Sequence, residues 1–532
     1  MCGIFCYIAK AHPEHQSKLN KNFMKIKHRG PDATNSAWYD NVFLGFHRLA
    51  IMDLSDNGVQ PFEYRDLVCI TNGEIYNYKE LSKEIGLSDI KCDCEVILPL
   101  FDYVGRDMNA FCNKLDGEYA IIIYDRTHKQ LYVCSDELRV RPIFVGHSST
   151  GTYFSSEIKA ISDLCDTIEA FPAGSYLQYG DSIKQYFNFR QNIVDISYQD
   201  AAYQLRELLT FSVKSKLHPE RDYGFLLSGG IDSSLVASIA SKLLSHRIKT
   251  FTIGFSYDSP DIIAARKVAK FINSEHHEII IPIEEGLKEL ENVVYYNESY
   301  DETTTRASTP MKLAVKYIKE IYPEICVIYS GEVADELLGS YLYFFNAPSS
   351  KEHREECIRL LEEIHLYDGL RADRVTSSVS CELRLPFFNK HLLSFVLSLP
   401  YEYLDPKKNN MIEKKILRDA FDTGNYLPKE LLWRTKNAMS DAVGYSWKDA
   451  LKEHAKKSIN YERFGRRHEL YEFDTPQTEE EFYYRELFNE YYDDKFANLI
   501  PHKWLPKWSG DIRDSSATFL DVFSSKVQTL QE

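Results

Sequence analysis

The pattern of apolar and polar positions divides the chain into two parts. Residues 1 to about 190 contain short apolar or alternating runs separated by Gly, Asn, Asp or Pro, which is typical of strands joined by turns. The runs that we predict to be strands are 42–54, 66–77, 117–125, 130–137, 152–157 and 174–179. The first part of the chain is therefore predicted to be a β-rich domain with a few helices.

From about residue 197 the pattern changes to long stretches with helical periodicity, such as residues 200–217. Between the helical stretches lie short apolar runs at 223–228, 248–255 and 325–330. Apolar runs of this length bounded by helices are typical of buried parallel strands in an α/β domain. We therefore predict domains at residues 1–190 and 197–532, packed directly on each other because no Pro/Gly/Ser-rich linker separates them.

Composition and charge narrow the class of function. The chain has 532 residues, 44% hydrophobic and 27% charged, which excludes disorder as its main character. A net charge of −16 without a long block of like charge argues against nucleic acid or an anionic membrane surface as a partner. The sequence shows neither a membrane span nor a signal peptide, so we expect a cytoplasmic protein that acts on small molecules.

The eleven cysteines are expected to be reduced thiols, because they are odd in number and scattered through a large chain. Cys92 and Cys94 have one residue between them, which disfavours a zinc site.

The segment "LLSGGIDSS" (226–234) follows an apolar run and precedes a helical one. Its glycines let the backbone approach an anion closely, and its serines and the helix amides are hydrogen-bond donors. The Gly-Lys-Ser/Thr ending of a Walker loop is absent, which disfavours a P-loop NTPase. Asp232 is placed to hold magnesium against a diphosphate. The segment is therefore predicted to bind phosphate groups.

A second Ser-Gly turn follows the apolar run at 325–330 and carries the carboxylates of Glu332, Asp335 and Glu336. Carboxylates are also common in a first helical turn that only faces solvent. Because the carboxyl ends of parallel strands meet at one edge of a sheet, we expect this turn and the 226–234 segment to converge on one crevice.

The chain begins "MCGIF", so removal of Met1 would give Cys2 a thiol and a free α-amine on adjacent carbons. The amine could then act as the general base for the thiol. The alternative is that Cys2 is only a small second residue.

Other segments of the first domain could surround Cys2. Arg48 could bind a carboxylate, and the amide of Asn72 with the N–H of Gly73 could stabilise an oxyanion. Glu74 and Asp93 could bind a substrate ammonium. An amino acid with a side-chain carbonyl would satisfy these groups together. Each also has an ordinary structural explanation, as a hairpin turn, a surface ion pair or a solvated acid.

Taken together, the motifs resemble the glutamine-hydrolysing asparagine synthetases of eukaryotic type, over nearly the whole chain. The motifs that carry the resemblance include "MCGI" (1–4), "HRGPD" (28–32), "HRLAI" (47–51), "NGEIYN" (72–77), "SGGIDSS" (228–234) and "SGEVADELLGSY" (330–341). The resemblance implies an α/β and α+β multidomain protein. Its first half would be a four-layer αββα N-terminal-nucleophile glutaminase domain, and its second half an α/β parallel-sheet ATP pyrophosphatase domain.

The resemblance also implies residue roles in the glutaminase half. Cys2 would attack the glutamine side-chain amide, and Asn72 with Gly73 would form the oxyanion hole. The residues that would bind glutamine are Arg48, Leu49, Ala50, Ile51, Met52, Asn72, Gly73, Glu74 and Asp93. The released ammonia would pass through an internal tunnel to the second half.

In the second half the resemblance implies ATP and Mg²⁺ binding and the conversion of L-aspartate to L-asparagine through β-aspartyl-AMP. The residues that would contact ATP are Leu227, Ser228, Gly229, Gly230, Asp232, Ser233, Ser234, Ile253, Ser330 and Gly331. Asp232 and Asp335 would be the metal ligands, Glu332 and Lys436 would be catalytic, and Arg384 would shape the aspartate site. A homodimer is one assembly that the resemblance allows.

Several positions depart from the family pattern. Val333 stands where a glycine or another small residue is usual, and a positive φ there would strain a β-branched side chain. The other departures are Ser135, Arg139, Ser340, Asn389 and Asn437.

Two alternatives stay open at this stage. The chemistry could serve another acceptor, as in β-lactam synthetases, although such relatives commonly lack the nucleophile, and fold and phosphate motifs do not fix the acceptor. A non-enzymatic scaffold is the other alternative, which the retained charged groups of both sites argue against.

Overall fold

The computed structural model describes residues 1–10, 14–434 and 445–508. Lys436 and Asn437 lie outside the described residues. Two parts with different sheets follow each other along the chain.

The first part contains two six-stranded antiparallel sheets. The order of the first sheet is β10-β8-β9-β1-β3-β2, and that of the second is β12-β11-β7-β6-β5-β4. The strands are β1 (Gly3–Ala9), β2 (Ala33–Tyr39), β3 (Val42–Arg48), β4 (Phe62–Tyr64), β5 (Leu67–Ile75), β6 (Gly117–Asp125), β7 (Gln130–Ser135), β8 (Phe144–His147), β9 (Gly151–Ser155), β10 (Thr167–Ala170), β11 (Ser175–Gln178) and β12 (Lys184–Gln185). Apolar side chains of both sheets form a common buried layer, as in two sheets packed face to face.

Helices cover the outer faces of these sheets. They are α1 (Gln16–Phe23), α2 (Tyr78–Glu84), α3 (Ile97–Tyr103) and α4 (Met108–Lys114). The first part is thus the four-layer αββα arrangement that the resemblance implied.

The second part is built on a five-stranded sheet in which every pair is parallel, with the order β15-β14-β13-β16-β17. The strands are β13 (Asp222–Leu226), β14 (Lys249–Gly254), β15 (Glu275–Ile280), β16 (Ile325–Tyr329) and β17 (Glu382–Arg384). Because β13 and β16 are neighbours, the two Ser-Gly turns that follow them lie side by side at the carboxyl edge of the sheet.

Helices make up most of the rest of the second part. They are α5 (Tyr198–Lys216), α6 (Ile231–Leu243), α7 (Pro260–Phe271), α8 (Ile283–Asn297), α9 (Glu302–Ile321), α10 (Ala334–Leu338), α11 (Ser350–Glu363), α12 (Asp368–Ser377), α13 (Lys390–Ser398), α14 (Lys415–Phe421), α15 (Lys429–Leu432), α16 (Tyr445–Ser458), α17 (Tyr461–Gly465), α18 (Arg467–Leu470) and α19 (Glu479–Tyr491). Together with the sheets they give the α/β and α+β architecture expected from the sequence.

Each of the nine strands predicted from the apolar runs is present, with β6 at its predicted length and the others shorter, and the helical stretch at 200–217 is α5. The runs that we used did not indicate the other strands, which are β1, β2, β4, β8, β10, β12, β15 and β17. β17 is only three residues long, which is too short for a periodicity to show.

The two parts contact each other directly through buried charged groups. The guanidinium of Arg29 in the first part is fully buried and lies 2.8 Å from the carboxylate of Glu157 and 2.8 Å from that of Asp373 in the second part. Buried ion pairs of this kind hold a specific relative position, because separating them would leave an unpaired charge.

The structure also bears on the state of the cysteines and on the character of the helices. All eleven cysteines are free thiols, as expected. Within the described ranges, the helices include none with the length and apolar character needed to cross a membrane.

Candidate active sites

Cys2 lies at the start of a central strand and not at a frayed chain end. Gly3, the first residue of β1, pairs with His47 of β3, so Cys2 is held beside the end of β3. The backbone N–H of Leu49 points to the Cys2 sulfur at 3.4 Å, and Arg29 donates to the Cys2 carbonyl at 2.9 Å. The thiol is therefore fixed by backbone pairing on one side and by an arginine on the other.

Burial disfavours the charged forms of both groups at the chain end. It raises the pKa of the Cys2 thiol to about 11, so the thiol is protonated at neutral pH. Burial also lowers the pKa of the terminal amine on Met1, which is fully buried. The proposed base is a different amine, namely the one that Cys2 itself carries once Met1 has been removed.

Asn72 and Gly73 lie in β5 next to β6. The Asn72 side-chain amide is buried, and neither its nitrogen nor its oxygen has a hydrogen-bond partner among the described residues. Leaving a buried amide unpaired is costly, so this amide is available for a ligand. A Cβ on Gly73 would come within 2.5 Å of the Glu118 carbonyl oxygen, so only glycine allows this strand pairing.

Glu74 and Asp93 form a buried acidic pair. Asp93 accepts a hydrogen bond of 2.7 Å from the backbone N–H of Ile75, and Glu74 lies 3.1 Å from the guanidinium of Arg384. Burial raises the pKa of Glu74, and the nearby Asp93 carboxylate raises it further, whereas Arg384 opposes both effects. Two carboxyl groups in one buried place favour an added cation such as a substrate ammonium.

The Arg48 side chain is buried and donates to the backbone carbonyls of Asp53 and Ser55. A guanidinium has five N–H groups, so these two contacts leave donors available for a carboxylate. Backbone groups of the following segment are also engaged, since the Ala50 N–H donates to Asp32 at 2.8 Å and the Ile51 carbonyl accepts from Glu220 at 3.0 Å. Leu49, Ala50 and Ile51 are buried, and Met52 is partly buried.

A cavity of about 300 Å³ opens at the carboxyl edge of the parallel sheet. Nearly all residues expected to contact a nucleotide line it, which are Leu227, Ser228, Gly229, Gly230, Asp232, Ser233, Ile253, Ser330 and Gly331. Glu332 and Asp335 line it too. The cavity brings both Ser-Gly turns into one site.

Ser234 is the exception among these residues. It follows Ser233 on α6 and does not line the cavity, and its hydroxyl is fully buried. Adjacent residues of a helix point about 100° apart, so Ser234 does not face the cavity that Ser233 lines, and its contact with the nucleotide stays a prediction.

The two turns pack closely enough to require glycine at two positions. Gly229 has a φ of +72°, and a Cβ there would lie 2.6 Å from the Ala265 nitrogen. A Cβ on Gly331 would lie 2.7 Å from the Ser233 nitrogen, so the second turn rests against the first. The Ser228 hydroxyl accepts from the Gly230 N–H at 3.3 Å and shares a hydrogen bond of 2.9 Å with the Ser233 hydroxyl.

Asp232 and Asp335 converge on one cation. The ammonium of Lys414 lies 2.5 Å from the Asp232 carboxylate and 2.6 Å from that of Asp335. Burial alone would lower the pKa of Lys414, but the two carboxylates outweigh it and raise the pKa. Two carboxylates that share a cation in this way fit the oxygen donors that Mg²⁺ prefers.

Glu332 lies at a second charged contact in the same cavity. The buried guanidinium of Arg371 is 3.0 Å from the Glu332 carboxylate and 2.8 Å from that of Asp368. Burial raises the pKa of Glu332, whereas Arg371 lowers it. Burial has the larger effect, so the pKa of Glu332 lies above its usual value.

The structure also corrects and extends the set of candidate residues. Arg384 does not line the nucleotide cavity, because its side chain points across the interface to Glu74. Sequence reasoning missed Arg371, Lys414 and Arg434, all of which line the cavity. Arg371 lies in helix α12, Lys414 immediately precedes α14, and Arg434 follows the end of α15. Basic residues at such polar positions are normally solvent-exposed, so the local pattern gave no signal.

Val333 has a φ of +77° and is buried, so the strain foreseen for a β-branched residue is present. Arg139 also has a positive φ, of +51°. Ser340 donates a hydrogen bond to Asp335, and Asn389 caps the N-terminus of α13 by accepting from the N–H groups of residues 391 and 392.

The sequence was also compared with known proteins. Residues 1–197 match a family model described as glutamine amidotransferase domain, and residues 204–362 and 347–512 match one described as asparagine synthase.

Curated relatives match over almost the entire chain. The probable asparagine synthetase (glutamine-hydrolyzing) of Acanthamoeba polyphaga mimivirus is 36% identical, covering 98% of this chain and 100% of its own. The asparagine synthetase (glutamine-hydrolyzing) of Gallus gallus is 37% identical, covering 99% and 100%. The probable enzyme of Schizosaccharomyces pombe is 38% identical, covering 95% and 96%. With the fold and both sites in place, these matches show that the chain belongs to the family of glutamine-hydrolysing asparagine synthetases.

Proposed function

We propose that this protein converts L-aspartate, L-glutamine, ATP and water to L-asparagine, L-glutamate, AMP and pyrophosphate. The observation that carries the proposal is the presence of two complete sites in one chain. The first half holds the Cys2 thiol and the buried Asn72 amide, which has no partner among the described residues. The second half holds two Ser-Gly turns and two carboxylates that share Lys414. A glutaminase alone would not need the second site.

In the first site, removal of Met1 gives Cys2 the free amine that takes the thiol proton. The sulfur then forms a bond to the amide carbon of glutamine, and the oxyanion accepts hydrogen bonds from the Asn72 amide and the Gly73 N–H. Collapse of this intermediate breaks the C–N bond, and the proton held by the Cys2 amine passes to the departing nitrogen, which leaves as ammonia. Water then hydrolyses the thioester to glutamate and restores the thiol.

Glutamine would be held by its two charged ends. The buried carboxylates of Glu74 and Asp93 bind its ammonium, and Arg48 binds its carboxylate through donors not used by residues 53 and 55. The backbone of residues 49–52 lines the side of the pocket next to Cys2.

In the second site, the β-carboxylate of aspartate attacks the α-phosphorus of ATP, and the bond to pyrophosphate breaks. Ammonia then attacks the carbonyl carbon of β-aspartyl-AMP, and AMP leaves. Glu332 is positioned to accept the proton that the attacking ammonia loses, and its contact with Arg371 places its carboxylate at the cavity wall.

The nucleotide would be held by the two turns and their neighbours. Leu227 and Ile253 contact the adenine, and the 228–233 turn donates to the phosphates. Asp232 and Asp335 would hold Mg²⁺, which when bound neutralises charge on pyrophosphate. Lys414 lies between these carboxylates and can turn to a phosphate oxygen. Lys436 is proposed to stabilise the adenylation transition state and lies outside the described residues.

Further parts of the proposal concern the whole chain. The last strand of the first part ends at Gln185 and α5 begins at Tyr198, which supports a boundary between domains at 1–190 and 197–532. Ammonia would pass through the interface where the two parts contact each other. The homodimer and the cytoplasmic location are expectations to be tested by sedimentation and by localisation in cells.

The first test measures asparagine, glutamate and pyrophosphate separately in a reaction with glutamine, aspartate, ATP and Mg²⁺. We expect matched amounts of asparagine and pyrophosphate. Cys2→Ala is expected to abolish synthesis from glutamine and to retain synthesis from added ammonium salt. The matched control is Cys6→Ala, since Cys6 is a buried thiol of β1 away from the proposed pocket, and both activities should persist.

Two outcomes would contradict the proposal. Glutamate without asparagine or pyrophosphate would mean a glutaminase that serves another acceptor. Glutamine-dependent synthesis by Cys2→Ala would remove Cys2 from the nucleophile role.

A further inference from the structure

Strand β17 presents two charged side chains to the glutaminase half. Glu382 and Arg384 are two residues apart in a strand, so they lie on the same face. The Glu382 carboxylate faces the chain end, where it raises the pKa of the Met1 amine against the lowering by burial. The Arg384 guanidinium lies 3.1 Å from the carboxylate of Glu74. One short strand of the synthetase half therefore lines the back of the glutamine pocket.

The same strand supports the nucleotide turn through its backbone. β17 pairs with β16 in parallel, with Arg384 opposite Tyr329. The N–H of Ser330, the first residue of the second turn, donates to the Arg384 carbonyl at 3.2 Å. Arg384 thus contacts the glutamine pocket with its side chain and the nucleotide turn with its main chain.

The Arg384 side chain has little freedom to move. Its exposed fraction is 2%, its Nε lies 3.0 Å from Glu382, and one Nη donates to the Lys216 carbonyl at 2.7 Å. Lys216 in turn is 2.8 Å from the carboxylate of Glu118, next to β5. A buried arginine fixed at several atoms transmits a shift at one end to its backbone, because close-packed interiors do not absorb displacement.

Arg384 also supplies a positive charge that compensates Glu74 when no substrate ammonium is bound. An ammonium that enters between Glu74 and Asp93 would share the Glu74 carboxylate and weaken its contact with Arg384. The energy of that contact therefore depends on whether glutamine is present.

We propose that Arg384 is a positioning residue that couples the two active sites, so that glutamine binding and nucleotide binding change each other's affinity. This inference rests on the proposed function, since it assumes that the two pockets bind glutamine and ATP. The effect is reciprocal because the two binding equilibria are linked. If ATP changes the dissociation constant of glutamine by some factor, glutamine changes the dissociation constant of ATP by the same factor.

The test uses the full chain with Cys2→Ala, in which glutamine binds without being hydrolysed. Calorimetry gives the dissociation constant of glutamine with and without ATP and Mg²⁺. We expect the two values to differ about fivefold or more, as is typical for coupled sites. Arg384→Lys, added to this variant, keeps the positive charge but loses the guanidinium, which contacts Glu74, Glu382 and the Lys216 carbonyl together. The dissociation constants of glutamine with and without ATP should then become equal.

Two controls separate coupling from general damage. Arg354→Lys replaces another buried arginine of the synthetase half, which contacts the carbonyls of residues 397 and 399. This variant should keep the parent's ratio between the glutamine dissociation constants measured with and without ATP. Glu382→Gln removes the carboxylate that lies 3.0 Å from the Arg384 Nε and changes no residue assigned to glutamine binding. It should also make the two dissociation constants equal if Arg384→Lys does not fold. Thermal melting verifies that each variant is folded.

Equal dissociation constants in the parent protein, or an unchanged factor in folded Arg384→Lys, would overturn the coupling. If either result is obtained and the wild-type enzyme still makes asparagine from glutamine, the proposed function stands and only the coupling is rejected. Failure to make asparagine from either nitrogen source would overturn the proposed function and the coupling with it.

Discussion

Val333 shows how a single side chain can conflict with its backbone position. Its φ of +77° is accessible to glycine at no steric cost, whereas a β-branched residue there is strained by about 1–2 kcal/mol. The side chain is nevertheless buried in the main core of the synthetase half, and this burial offsets the strain. The family motif in the sequence drew attention to this position, and the positive φ explains why glycine is usual there.

A pair of variants at this position measures the strain. Alanine is ordinarily more stable than glycine in a helix, by about 1 kcal/mol. At Val333 the order should reverse, so that Val333→Gly melts a few degrees above Val333→Ala.

The control for this comparison is Ala334→Gly, one residue later and inside α10, which should lower the melting temperature. If Val333→Ala proved the more stable of its pair, the positive φ would be refuted.

Asn72 illustrates what sequence can say about a functional residue. Its place in an Asn-Gly pair suggested either a hairpin turn or an oxyanion donor. The structure removes the first alternative, since Asn72 and Gly73 are inside strand β5 and are paired with Ala120 and Tyr119. The oxyanion role of Asn72 stays a prediction, whereas its secondary structure was decided by the partner strand.

At the scale of elements, the pairing of β5 with β6 positions the oxyanion donors. Gly73 is a position at which the backbones of the two strands leave no room for a Cβ atom. An added Cβ would lie 2.5 Å from one backbone atom of β6 and 2.7 Å from another. Neither atom can move without displacing the strand.

We expect Gly73→Ala to force β5 and β6 apart, to lower the melting temperature of the glutaminase half by several degrees and to abolish glutamine hydrolysis. Synthesis from ammonium salt should persist, because the parallel sheet is not involved. The matched control is Gly465→Ala at the end of α17, where an added Cβ meets no atom within 4 Å. Normal glutaminase activity in Gly73→Ala would show that the strands tolerate the separation.

β17 is an element that only the assembled sheet defines. Its three residues have no periodicity of their own, and they became a strand because β16 offers an unpaired edge. Arg384 was expected at the aspartate site from its motif, and the direction of this strand instead sends it to Glu74.

At the scale of the whole molecule, the chain end is enclosed between the two halves. Met1 is fully buried, and its side chain packs in the same core cluster as Leu138 and residues of the synthetase half. An aminopeptidase must draw a free chain end into its own active site. The folded protein therefore protects Met1, and removal of Met1 has to precede docking of the halves.

This order of events can be tested with protein made while methionine aminopeptidase is inhibited. The folded product should keep Met1 when it is later treated with the purified peptidase, and it should use ammonia but not glutamine. Unfolding and refolding in the presence of the peptidase should restore use of glutamine, and intact mass reports the processing. Ready loss of Met1 from the folded protein would contradict the buried chain end.

Much of the architecture and most of the chemistry follow from the sequence alone. Three features are local, and they are the nine strands predicted from apolar runs, the change from a β-rich to an α/β pattern, and the two Ser-Gly turns. They are determined by side-chain periodicity and by glycine where backbones approach closely. The motifs around Cys2, Asn72 and Asp232 are also local features, since each is recognised from the residue types beside it in the sequence.

Only the tertiary structure decided which distant residues meet. Lys414 reaches Asp232 across 182 positions, Arg371 reaches Glu332, and Arg384 crosses from one half to the other to reach Glu74. The physical reason is that a basic residue in a helix, a turn or a short strand has the same local pattern whether it faces solvent or a buried carboxylate. Its partner is chosen by the packing of the sheet and of the two halves, which local sequence does not encode.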